Sequence, residues 1–116
     1  LNGVRDLTAL LAKAIRRGPH TADEIQDAVK AGRMQVWPGQ RSVAITQIFD
    51  RPGKKVCHVL CAAGDIAELE QMEQAAAIWA KAQGCTAMTQ NGRRGWRRIL
   101  NKRGWRETTV TMERSL

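Results

Sequence analysis

Lys55–Gln90 reads KVCHVLCAAGDIAELEQMEQAAAIWAKAQGCTAMTQ, and its apolar period changes twice. Val56 to Cys61 is a short, nearly all-apolar run, as expected of a central strand covered on both faces. Gly64 and Asp65 break it. Asp65 has the residue type of a helix N-cap, and Glu68 follows at capping-box spacing. Ile66, Leu69, Met72, Ala76 and Trp79 then fall on one side of a helix that runs to about Gln83, where Gly84 ends it. Glu68, Glu70 and Glu73 lie in its first turns and Lys81 near its end, which complements the helix dipole. Cys85 to Thr89 reads as a further strand, Arg93 to Lys102 as a short basic helix and Thr108 to Met112 as a last strand.

Working towards the N-terminus, the pattern is antiparallel. Met34–Trp37, Val43–Phe49 and Val56–Cys61 are apolar segments separated by Pro38-Gly39 and by Asp50-Arg51-Pro52-Gly53, so three consecutive strands form a meander. Before them, Leu7, Leu10, Leu11, Ala14 and Ile15 repeat at helical spacing up to Gly18-Pro19. A second helix starts at Thr21, whose spacing to Glu24 is that of a capping box. Ile25, Ala28 and Val29 form its apolar side, and Gly32 suits the place after its end. Trp37, beside Pro38, reads as a partly exposed turn aromatic.

A chain of 116 residues suffices for one compact domain. No segment has the roughly 18 uncharged apolar residues that cross a bilayer, and Arg5, Asp6 and Lys13 interrupt the first apolar stretch, so a soluble, unexported protein is expected. Cys57, Cys61 and Cys85 make no CxxC pair and leave an odd thiol, which suits a reducing compartment and apolar filling. His58 adjoins Cys57 but points to the other strand face, so no metal site is expected.

Charge is concentrated. Arg93, Arg94, Arg97, Arg98, Lys102, Arg103 and Arg106 are seven of the 19 cations; the twelve that remain face 11 acids. Arg93 with Arg97, and Arg94 with Arg98, share helical stripes, while Trp96, Ile99 and Leu100 form an apolar face that anchors the helix to the sheet. Nothing nearby in sequence neutralises the cluster. Arg93, Arg94, Arg97, Arg98, Lys102 and Arg103 are therefore the candidate anion-binding residues, for nucleic acid or an acidic protein surface. Trp96 and Trp105 read as core, the alternative being stacking platforms for bases. His58 reads as a satisfied sheet histidine.

The order of strand, long helix, strand and short helix ending in Gly104-Trp105 resembles the second half of the GNAT superfamily of acyl-CoA-dependent N-acyltransferases. Lys55–Gln90 is similar to that family's fourth strand, third helix and fifth strand. NKRGW, ending at Trp105, resembles its Lys-x-Gly-Phe closure. The resemblance covers about residues 54 to 112, and a recognisable first strand is absent. The chain opens on Leu1, in keeping with a first element lying outside it. The pairing of AGD and WAKAQGC with GRRGW is also similar to small phage and prophage proteins. The resemblance implies an α+β GNAT-like fold: a single domain over residues 1–116, with a mixed, mostly antiparallel sheet flanked by helices.

Two departures bear on function. The family holds a cofactor diphosphate on a Gly-rich loop opening its third helix, whereas here Ala62, Ala63 and Gly64 lead straight into Asp65. The place of the family's frequent tyrosine acid is Leu100, and the chain has no Tyr. The expectation is a non-catalytic protein of phage or prophage type, cytoplasmic or within a virion. It has no cofactor site or catalytic residue to name, and it binds nucleic acid or an acidic partner through the basic helix. Two alternatives stand beside it: an N-acyltransferase taking acetyl-CoA by other means, and an assembly protein packing on its own copies or on a virion component.

Overall fold

The computed structural model describes residues 11, 12, 15, 20–91, 96–109 and 111–116. Helix α1 (Ala22–Lys30) starts where Thr21 Oγ1 accepts the Glu24 N–H at 3.2 Å. The reciprocal half of the expected box is replaced: the Glu24 carboxylate lies 3.3 Å from His20 Nδ1. Strands β1 (Met34–Pro38), β2 (Val43–Arg51) and β3 (Lys54–Ala63) follow as an antiparallel meander. Helix α2 (Ile66–Ala82) then crosses over to β4 (Ala87–Gln90), which pairs parallel to β3. The sheet order is β1-β2-β3-β4, and a short helix α3 (Trp96–Asn101) follows it. The product is one mixed-sheet α+β domain.

Strand alternation sends side chains to two layers. Met34 and Ile45 meet Ile25 and Ala28 of α1, and Ile45 is completely buried, a side chain whose transfer from water is worth about 2–3 kcal/mol. Leu11 and Ile15 pack on the same cluster; Leu11, Ala12 and Ile15 are helical, and the rest of the expected first helix lies outside the described residues. On the other side, Ala76 and Ala80 are the buried positions of α2. Trp37 belongs to β1 and is half-buried, not a turn residue. It sits edge-on to Trp79 with centroids 5.6 Å apart, and its indole N–H donates to Thr46 Oγ1 at 2.9 Å. Ile66, expected on the inner side of α2, is 44% exposed.

One further difference concerns the C-terminal part. The short helix is described from Trp96, and its expected start at Arg93 lies outside the described residues. The last strand expected over Thr108–Met112 does not form among the described residues of that segment, which are exposed. Among the described residues of the segment no side chain is buried, Met112 being 89% exposed, so they gain no burial to offset their ordering. No helix among the described residues is long and apolar enough to cross a membrane.

Candidate ligand groove

The groove originates in one extra residue. Ile45 stands opposite Cys61 and Thr46 opposite Val59, so Leu60 has no partner on β2 and forms a bulge. On the other side, β4 follows β3 only as far as the Val59–Gln90 pair. Among the described residues, Leu60 to Ala63 therefore continue without a paired neighbour on the β4 side. The gap between the diverging strands opens into a cavity of about 630 Å³, roofed by Leu69, Met72 and Ala76 of α2 and closed laterally by Trp96, Ile99 and Leu100 of α3.

An ionic clasp fixes the wall formed by α3 and the segment after it. Arg103 Nε donates to Glu73 Oε2 at 3.0 Å, and its Nη1 lies 3.2 Å from Glu70 Oε2. The other Glu73 oxygen accepts the indole N–H of Trp105. Glu70 and Glu73 thus have tertiary partners beyond the dipole role read from their position. Their one signal in the sequence is that both carboxylates flank Leu69 and Met72 on the inward side of the helix.

Protein groups occupy part of the opening of α2, which the cavity reaches at Gly64 and Ile66. Asp65 Oδ2 accepts the Glu68 N–H at 3.0 Å, as the cap spacing predicts. The Asp65 N–H donates to Ser42 Oγ at 2.9 Å, and the Glu68 carboxylate accepts the Arg41 N–H at 2.9 Å. Ser42 is fully buried. Gly64 adopts φ +129°, and a β-carbon there would collide with the Arg41–Ser42 backbone; one at Gly39 would collide with the Glu68 carboxylate. The β1–β2 turn is therefore seated directly on the helix start, and at Gly64 only glycine fits. This plug was not legible in the sequence, because Ser42 lies far from Asp65 along the chain.

The candidate cations separate into three groups. Arg93 and Arg94 lie outside the described residues. Arg103 is mostly buried in the clasp, and Arg97 Nε lies 2.8 Å from Glu107 Oε2 at the surface. The reading that nothing neutralises the cluster is corrected at both positions: one acid sits just beyond it and two come from α2. Arg98 and Lys102 are exposed and have no ion pair among the described residues. Trp96 and Trp105 are half-buried and both line the cavity, and Leu100 lines it as well.

His58 is half-buried, with Nδ1 2.8 Å from Thr89 Oγ1 and its ring edge-on to Phe49. Burial, and secondarily the Arg51 charge, holds it below the ordinary histidine value. Cys57, Cys61 and Cys85 are free thiols, and burial pushes those of Cys57 and Cys61 up, away from nucleophilic use.

No protein-family model matches the chain. No curated protein matches it by sequence. Solved structures do resemble it in fold. A Trypanosoma brucei acetyltransferase superposes with a TM-score of 0.70 at 16% identity, over 99% of this chain and 94% of that one. The wild-type TTHA1254 protein of Thermus thermophilus gives 0.65 at 12% identity, over 99% and 91%. Glucosamine-6-phosphate N-acetyltransferase of Arabidopsis thaliana gives 0.55 at 12% identity, over 80% and 74%. At such identities the likeness establishes the fold, which is GNAT-like.

Proposed function

We propose that this GNAT-fold chain has lost ordinary acyl transfer and works by binding, as a divergent protein of phage or prophage type. Its partner is a polyanion, nucleic acid foremost, met by the exposed Arg98 and Lys102 at α3 together with Arg93 and Arg94, which precede it in the sequence. The observation that carries the loss of transfer is the plug at α2. A cofactor diphosphate needs free backbone donors at a helix start. Here the Glu68 and Asp65 amides are bonded to Asp65 and Ser42 side chains, and the Asp65 and Glu68 carboxylates stand at the same place. Two anions there oppose a diphosphate. The cavity reaches this opening at Gly64 and Ile66, so what opposes acyl-CoA there is these two carboxylates and the two engaged amides; Leu100 supplies no proton at the groove.

A second reading has one observation in its favour. The groove at the strand divergence is large enough for a small ligand, and an N-acyltransferase that held its cofactor elsewhere could use it. Calorimetric titration with acetyl-CoA separates the two. The binding reading expects no heat and no thermal shift at millimolar cofactor, and micromolar affinity would overturn it. For the α3 surface, replacing Arg93, Arg94, Arg97 and Arg98 with Ala is expected to weaken binding to single-stranded DNA at low salt. Unchanged affinity would remove α3 as the contact.

A further inference from the structure

The fold gathers a second set of cations at the end of the sheet remote from the groove. Arg51 ends β2 and pairs with Lys54, the first residue of β3. Lys55 Nζ donates to the Gln83 carbonyl at 2.8 Å, and the Thr86 N–H donates to the Lys55 carbonyl at 2.9 Å. These bonds bring the end of α2, with Lys81, to the same rim. The turn from α1 into β1, which carries Lys30 and Arg33, flanks the rim from nearer the middle of the sheet, since Met34 stands opposite Gln47 at the midpoint of β2. Lys30, Arg33, Arg51, Lys54 and Lys81 are exposed, and Lys55 is half-exposed.

Two acids lie in this region: Asp50, opposite Lys55, and Asp27 of α1. Neither is within ion-pair distance of any of the six cations among the described residues. That distinguishes the rim from α3, where Arg97 and Arg103 have carboxylate partners. Asp65 lies beyond the far end of the ten-residue β3, whereas Glu70 and Glu73 are about 17 and 12 Å from Lys81 along α2 and are engaged by Arg103. Among the described residues, the cations of the rim therefore face an approaching polyanion without a carboxylate at ion-pair distance.

We propose that this hairpin rim is a docking surface for the phosphate backbone of duplex nucleic acid. It uses none of the α3 residues and does not rest on the α3 contact. The rim has no exposed aromatic on which unpaired bases would stack, which favours a duplex over a single strand. Its nearest exposed large apolar side chain is Ile78, one turn back on α2, and one such residue anchors no bilayer.

Fluorescence anisotropy with a short labelled DNA duplex, titrated with NaCl, tests the proposal on the full chain. One variant combines Arg51→Ala, Lys54→Ala and Lys81→Ala; the other combines Arg97→Ala, Arg98→Ala and Lys102→Ala. All six positions are exposed, and melting followed by circular dichroism checks that both variants fold. The rim variant is expected to bind at least tenfold more weakly at low salt, with a log-log salt slope shallower by about 2.7, near 0.9 for each lost phosphate contact. The α3 variant is expected to keep the wild-type slope. A wild-type slope in the rim variant, with the loss confined to the α3 variant, overturns the rim and leaves the α3 surface standing. No binding by the wild type overturns the rim for duplexes. Tighter binding to phosphatidylserine vesicles than to the duplex overturns it in favour of a lipid surface.

Discussion

Ser42 and Asp65 meet where β2 and α2 begin, and each takes a donor that would otherwise face solvent. Asp65 was legible because a cap is a local device: its carboxylate reaches an amide three residues on. Ser42 was not, because its partner comes from a different element. His58 is a similar case of a residue whose character the neighbours set. With burial and Arg51 holding its titration below 6.5, the folded protein keeps the ring neutral where the unfolded chain already takes up a proton. Its contribution is therefore complete above the ordinary value and declines as pH falls through that range, levelling once the folded ring is also protonated. Urea midpoints at about pH 7.5 and about pH 5 are expected to differ more in the wild type than in His58→Gln. Equal differences would show that other groups carry the acid sensitivity.

At the level of elements, α3 depends on α2 for its position. It spans only six residues, too few to be stable alone. The Arg103–Glu73–Trp105 clasp and the apolar contacts of Ile99 and Leu100 hold it against the groove. Glu73→Gln keeps the shape and removes the charge. It is expected to lower unfolding stability by about 1–2 kcal/mol, as for a hydrogen bond losing its charged partner. A red shift in tryptophan emission should accompany the loss, because Trp105 loses its ionic acceptor. An unchanged urea midpoint and spectrum would mean that the carboxylate does not hold this wall. The Thr108–Met112 expectation failed at the same scale: β-branched residues favour a strand, but a strand persists only with burial and a ladder partner.

Across the whole molecule, charge clusters in a way composition conceals. Outside the run from Arg93 to Arg106 the chain is nearly neutral, yet folding gathers Arg51, Lys54, Lys55 and Lys81 at the hairpin rim. If that field steers a polyanion, stopped-flow association with a DNA duplex should slow about tenfold or more between low and physiological salt, with dissociation changing less. Rates insensitive to salt would exclude steering. Periodicity, turn residues and caps act within a few positions. For this reason the sequence alone determined the order of elements from the second helix to the short basic one and the Asp65 cap, while the mixed α+β architecture came from the family resemblance. The partial filling of the α2 opening, the 630 Å³ groove, the clasp on Arg103 and the rim from Lys30 to Lys81 were decided only by tertiary structure. Each joins groups distant along the chain, and their distances exist only once the sheet has closed around its core.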